Sequence, residues 1–277
     1  DLKNSDLKPV QFVSDGGNST FFGYHDKTPF SLDQTKLLAM SVSGKDWKVN
    51  TECTEMRLGY FDVHNYNVSD EFKSFASTHT WCWQQGCMLQ WHPKYPNTHV
   101  IYNTVVNNSY GSVVLDITNT NIVHEYECPI YSVHPDGKYA VTLNFDRLGW
   151  LRPGYGYNYF RSSCPNKVAP EDDGVFLLDL PSRTVRLLVS LSDLAEKTDK
   201  LGCFHYVNHL SFSPLGTKIL FFHLWSKEND VDRKMRTCIF NLEDNTWDVL
   251  EDNLVMSHFC WCDDDNLLAT TKDLSGE

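Results

Sequence analysis

The segment "HLSFSPLGTKILFFHLW", residues 209–225, places a histidine at each open end of two apolar runs joined by a Ser-Pro-Leu-Gly turn. This is a β-hairpin pattern, and antiparallel pairing about the turn would set His209 and His223 almost opposite one another. A third histidine, His258 in "VMSHFCWCDDD", aligns with His209 in "VNHLSFSPLG" when the turns are superposed. Neutral imidazoles on neighbouring strands can hold a divalent cation or act as base and acid. Two cationic side chains could join them. Lys27 lies in "GYHDKTPF", and Arg152 lies in "RLGWLRPGYGYN" at 147–158, with Tyr155 and Tyr157 close by in the same stretch. His25 is a weaker candidate of the same kind, and His205, in a loop, is left open. His92 and His134 occupy turn positions that other segments fill with Ser or Cys, and read as turn formers. The acidic runs "EDD" (171–173) and "CDDDN" (262–266) read as loop and turn residues. No nucleophile elbow, phosphate-binding loop or dinucleotide fingerprint is found.

Elements that could position these residues recur along the chain. "PFSLDQTKLLAMS" (29–41), "QWHPKYPNTHVIYN" (90–103), "SVHPDGKYAVTLN" (132–144), "SFSPLGTKILFFH" (211–223) and "CWCDDDNLLATT" (260–271) share one plan of apolar strand, polar turn and apolar strand. The first four are each followed by a second hairpin pattern, as in "GSVVLDITNTNIVHEY" and "GVFLLDLPSRTVRLLV". Two hairpins repeated in this order predict an all-β fold, a β-propeller of four-stranded antiparallel blades. One domain over 1–277 is expected, with blades at 22–78, 85–127, 131–190 and 206–250 and a partial blade at 255–277. Stopping in mid-blade leaves a strand edge unpaired, so the chain reads as a fragment of a seven-bladed ring.

The first strand of each blade lines the channel of a propeller. Lys27, Met88, Ile130, His209 and His258 open the first strands of successive units and are expected to ring one mouth. His223 ends a second strand and should return there. The long insertion at 145–173 should overhang the same mouth. A shorter insertion occupies 44–53, and one short helix is expected over 190–202.

The 277 residues carry a net charge of −12, which argues against nucleic acid or an anionic membrane as partner. No apolar run approaches the roughly 18 residues of a membrane helix. Nine cysteines without repeated zinc spacing read as small buried residues. Their odd number, with a start that lacks a signal-peptide layout, slightly favours the cytoplasm.

The segments "GYHDKTPFSLDQTKLL", "HLSFSPLGTKILFFHLW" and "SHFCWCDDDNLLAT" resemble the propeller of the oligogalacturonate lyases and their relatives. That resemblance implies cleavage of uronic-acid oligosaccharides by β-elimination, with manganese held by histidines at the channel mouth. His258 matches a metal ligand of the family. His209 and His223 would then serve as ligand or base, Arg152 or Lys27 would hold carboxylates, and Tyr155 and Tyr157 would stack on sugar. The family's other ligands, a Gln and a His-x-His cluster, and a basic residue of its third-to-fourth blade region have no counterpart in this sequence. An acidic oligosaccharide is the partner expected on this reading. The alternative is a non-catalytic platform of the WD-repeat or TolB-like kind, whose partner would be a protein.

Overall fold

The computed structural model describes residues 11, 13–43, 54–160, 167–198, 202–227, 233–250 and 254–273. The insertion at 44–53 lies outside the described residues, as do 161–166 of the longer insertion and 199–201 of the expected helix segment. Four antiparallel sheets and a two-stranded hairpin follow one another along the chain, the arrangement of a β-propeller. The first blade comprises β1 (Ser19–Phe21), β2 (Lys36–Val42), β3 (Met56–His64), the short β4 (Asn67–Val68) and β5 (Lys73–Thr78). The second comprises β6 (Gln90–Trp91), β7 (His99–Val106), β8 (Ser109–Asp116) and β9 (Asn121–Tyr126). In the third, β10 (Ser132–Val133) and β11 (Tyr139–Thr142) precede α1 (Phe145–Leu151), and β12 (Gly174–Asp179) and β13 (Thr184–Ser190) follow it. Helix α2 (Leu191–Glu196) leads to the fourth blade, β14 (Phe204–Phe212), β15 (Lys218–Ser226), β16 (Lys234–Asn241) and β17 (Thr246–Val249). The hairpin β18 (Leu254–Trp261) and β19 (Leu267–Asp273) comes last among the described residues.

Burial along the strands follows their place in the blade. Strand β15 pairs on both sides, and its apolar run is covered on both faces; Ile219, Leu220 and Phe221 are all fully buried. Each such side chain contributes about 1.5–3 kcal/mol through removal from water. Outer strand β9 leaves Ile122 and Val123 exposed. The hairpin turns reuse one device, a side-chain acceptor for a backbone N–H. Ser31 Oγ takes Lys36 N–H and Ser213 Oγ takes Lys218 N–H, both at 3.0 Å. His92 Nδ1 takes Lys94 N–H and His134 Nδ1 takes Asp136 N–H, both at 3.1 Å. Those two imidazoles therefore close turns.

Helix α2 is shorter than the segment expected to form it. Ser190 and Asp193 cap its start reciprocally, and Thr198 ends it by bonding Ala195 O through both its N–H (2.9 Å) and its Oγ1 (2.8 Å). Helix α1 begins where Asn144 Oδ1 accepts Arg147 N–H at 3.0 Å. After α1 the chain doubles back, so close that a Cβ on Gly156 would collide with the backbone of Gly149 and Phe145. This return fixes where Tyr155 and Tyr157 point.

Candidate functional site

The segments leading into the inner strands converge near the channel axis. Asn208 pairs with Phe222, but Ser211 pairs with Leu220, so His209 and Leu210 form a β-bulge in β14. His209 takes a left-handed backbone (φ 55°), and Met88, its counterpart in the second blade, does the same (φ 57°). Strand β18 has an equivalent bulge between Met256 and Phe259, which contains His258. The bulges take His209 and His258 out of the ladder, and both rings meet Tyr24.

The His209 ring is buried and stacks against Tyr24, with centroids 4.8 Å apart. Tyr155 meets it edge-on at 6.0 Å, and Arg152 lies over the Tyr155 ring at 3.7 Å. Tyr24 also stacks on His258 at 6.3 Å, and His25 and His258 lie 4.8 Å apart. Behind His209, Gln85 Nε2 donates to Tyr131 Oη at 2.5 Å and approaches Asn208 Oδ1 at 3.4 Å. Asn208 Nδ2 lies 3.3 Å from His209 Nε2, and Tyr131 Oη lies 3.4 Å from His209 Nδ1. An amide N–H can only donate, so His209 Nε2 accepts and Nδ1 carries the proton. Burial, followed by the charge of Arg152, pushes this imidazole down to about 3, so it is neutral at pH 7. His25 is lowered too, by partial burial first and then by His258 and Lys27, with Asp26 opposing them. Burial raises the Tyr24 phenol, Tyr155 and Asp26 add to the rise, and Arg152 opposes it.

The structure brings Lys27, Arg152, Tyr155, His209 and His258 around the mouth, together with Tyr24, His25 and Asp26. Lys27 Nζ is bonded to Asp26 Oδ2 at 2.8 Å and lies 5.2 Å from the centre of the Tyr131 ring. Two of the expected residues lie elsewhere. Tyr157 is buried, its ring stacked on Phe145 at 4.3 Å and its hydroxyl accepting Asn103 Nδ2–H at 2.8 Å, so it offers no face to a sugar. His223 pairs with Val207, not with His209, and its ring lies on the other face of the β14–β15 ladder. There it meets His205, Nε2 to Nδ1 at 2.9 Å, and accepts Arg236 Nε–H at 3.2 Å. Gln85, Tyr131, Asn208, Tyr24 and Asp26 carry no periodic sequence signal. Only the crowding of Tyr, His, Asp and Lys at 24–27 marks the last two.

Among the described residues no group of three or more His, Cys, Asp or Glu side chains converges as a divalent cation requires. Instead Tyr24 stacks on His258, and the His25 ring lies tilted against both. These residues do not by themselves fit a manganese centre.

No protein-family model matches the chain, and no curated protein does. Many solved structures are similar to it in fold. TolB from Acinetobacter baumannii superposes with a TM-score of 0.47 at 11% identity, over 94% of this chain and 53% of that one. An oligogalacturonate lyase in complex with manganese gives 0.39 at 12% identity, over 87% and 68%. Oligogalacturonate lyase from Vibrio parahaemolyticus gives 0.40 at 10%, over 94% and 80%. The chain thus spans about half the length of TolB. These likenesses are to propellers of different activities, and they select no one family for the chain.

Proposed function

We propose that the mouth binds the carboxylate of an acidic sugar and that the protein acts on uronic-acid oligosaccharides by β-elimination. The observation that carries this reading is Arg152. Its guanidinium rests on Tyr155 beside Tyr24 and His209, and its buried Nε has no partner. A buried donor left unpaired is costly, and a ligand carboxylate would satisfy it with a charge-assisted hydrogen bond. The tyrosine faces suit a sugar ring.

Elimination beside a uronate carboxylate is slow because the departing proton leaves charge next to an existing anion. Arg152 would neutralise that carboxylate and the enolate formed from it. The proton on the carbon bearing the carboxylate passes to a neutral imidazole. The electron pair becomes a C=C bond, and the C–O bond to the leaving sugar breaks as its oxygen takes a proton from water. His25 offers a neutral imidazole on the open side of the mouth. His209, whose ring nitrogens meet Tyr131 and Asn208, supports the site rather than moves the proton, and His223, bonded to His205 and Arg236, stands away from it.

The test mixes the full chain with oligogalacturonate and follows the ultraviolet absorbance of an unsaturated uronide, with calorimetric binding of D-galacturonate alongside. Product from the wild type, and loss of roughly tenfold or more in kcat/KM in Arg152→Ala, is expected. Absence of both product and galacturonate binding overturns the reading. A binding-platform role would then take precedence, favoured by a groove of about 570 Å³ between the third and fourth blades. Leu215, Leu242 and Val185 give that groove an apolar lining, with Arg186 and Glu243 beside them.

A further inference from the structure

Arg152 Nε is not the only unpartnered atom at the mouth. Asp26 Oδ1 is also buried and accepts no hydrogen bond. The two groups flank one cluster of rings: Arg152 lies over Tyr155, which meets His209 at 6.0 Å, and the Lys27 ammonium that holds Asp26 lies 5.2 Å from the Tyr131 ring, whose hydroxyl is 3.4 Å from His209 Nδ1. Asp26 Oδ2 is taken by the Lys27 ammonium at 2.8 Å, which compensates the carboxylate's charge. An incoming anion therefore meets a neutralised pair together with the cationic Arg152.

The chemistry of the two unpartnered atoms is complementary. A guanidinium N–H only donates, and an ionised carboxylate only accepts. One ligand that satisfies both must carry an anionic acceptor and a hydroxyl donor. We propose that Asp26 is a specificity-determining residue of the mouth: its unpartnered oxygen accepts a ligand hydroxyl, so the site takes hydroxylated carboxylates and discriminates against carboxylates of the same ring shape that lack hydroxyls. This rests on the carboxylate reading of Arg152 given above. A site built to bond a hydroxyl rejects the analogue lacking it because a buried polar group is then left unpaired. A hydrogen bond to a charged group corresponds to about ten- to hundredfold in affinity.

The experiment uses the full chain and two probes, D-galacturonate and tetrahydropyran-2-carboxylate, with dissociation constants from calorimetry. The wild type is expected to bind galacturonate about ten- to hundredfold more tightly. Asp26→Ala brings that ratio close to one, by weakening galacturonate while the hydroxyl-free acid holds or improves as the Lys27 ammonium is released. Asp26→Asn, nearly isosteric, guards against misfolding and gives an intermediate ratio, with thermal melting confirming that the fold is kept. A wild-type ratio near one, or a ratio unchanged in both variants while both probes still bind, overturns the role of Asp26 and leaves the Arg152 reading in place. Failure of galacturonate to bind the wild type overturns both.

Discussion

The buried pair His205 and His223 makes stability depend on pH in a way that one substitution isolates. The His223 ring is enclosed in the fourth blade, stacked on His205 at 5.1 Å and tilted against Trp225 at 5.0 Å. The Arg236 guanidinium donates from Nε to His223 Nδ1, and from its other nitrogens to Leu194 O (2.8 Å) and Lys197 O (2.9 Å). Because the guanidinium can only donate, the His223 proton lies on Nε2 and is given to His205 Nδ1. Protonating His223 would place an N–H and a positive charge against Arg236 with no water to screen them. Burial, then His205 and Arg236, hold this imidazole well below its ordinary value of 6.5. In the unfolded chain it titrates near 6.5, so below that pH the unfolded state binds more protons and stability falls. The stability this neutral imidazole contributes is full above pH 6.5 and is lost as pH falls toward its folded value. Between pH 7.5 and 5 the loss is about 2 kcal/mol for one such group. The assay is urea unfolding at pH 7.5, 6.5, 5.8 and 5, comparing wild type with His223→Gln. Asp146, raised to about 6 by burial, stabilises the fold in acid, but it is common to both proteins and cancels. The variant is expected to lose about 2 kcal/mol less than wild type over this range. Equal losses would refute the buried neutral pair.

Two further substitutions test how the scaffold holds the mouth. Gly156→Ala forces a Cβ into the backbone of Gly149 and Phe145 and should cost about 1–3 kcal/mol, read as a lower thermal midpoint. Leu220→Ala empties a fully buried position in β15 and should cost about 2–5 kcal/mol, read as a lower urea midpoint at unchanged slope.

The two-hairpin order was legible because each blade repeats apolar run, turn and apolar run, and because turn chemistry is local. Ser31, His92, His134 and Ser213 each bond a backbone N–H close by in the chain. The facing of His223 was not legible. With Phe212 paired to Ile219, an unbroken ladder already sets His209 against Phe222, and a one-residue offset in a strand moves a side chain to the other face. The bulge at His209 shifts the register once more, so that Val207 meets His223. Nothing in an apolar run marks where a bulge falls. Tyr155 and Tyr157 illustrate a second limit. They are two residues apart in an irregular loop, where no period separates the ring that faces the channel from the one packed on Phe145.

The acidity of the whole chain and the cationic character of its mouth do not conflict. A net charge of −12 acts over distances at which salt screens it, since the Debye length is about 8 Å at physiological ionic strength. Arg152, Lys27 and Asp26 act at contact distances and from partly or largely buried positions, where screening is weak. The mean charge therefore bears on how often an anionic ligand arrives, and the mouth on how tightly it is held. Keeping His25 and His209 neutral follows the same economy. A charged His209 beside Arg152 and Lys27 would have to leave water, and the fold avoids that cost by leaving this buried imidazole uncharged. One arginine is then sufficient to define where a carboxylate belongs, and the neutral rings around it supply shape.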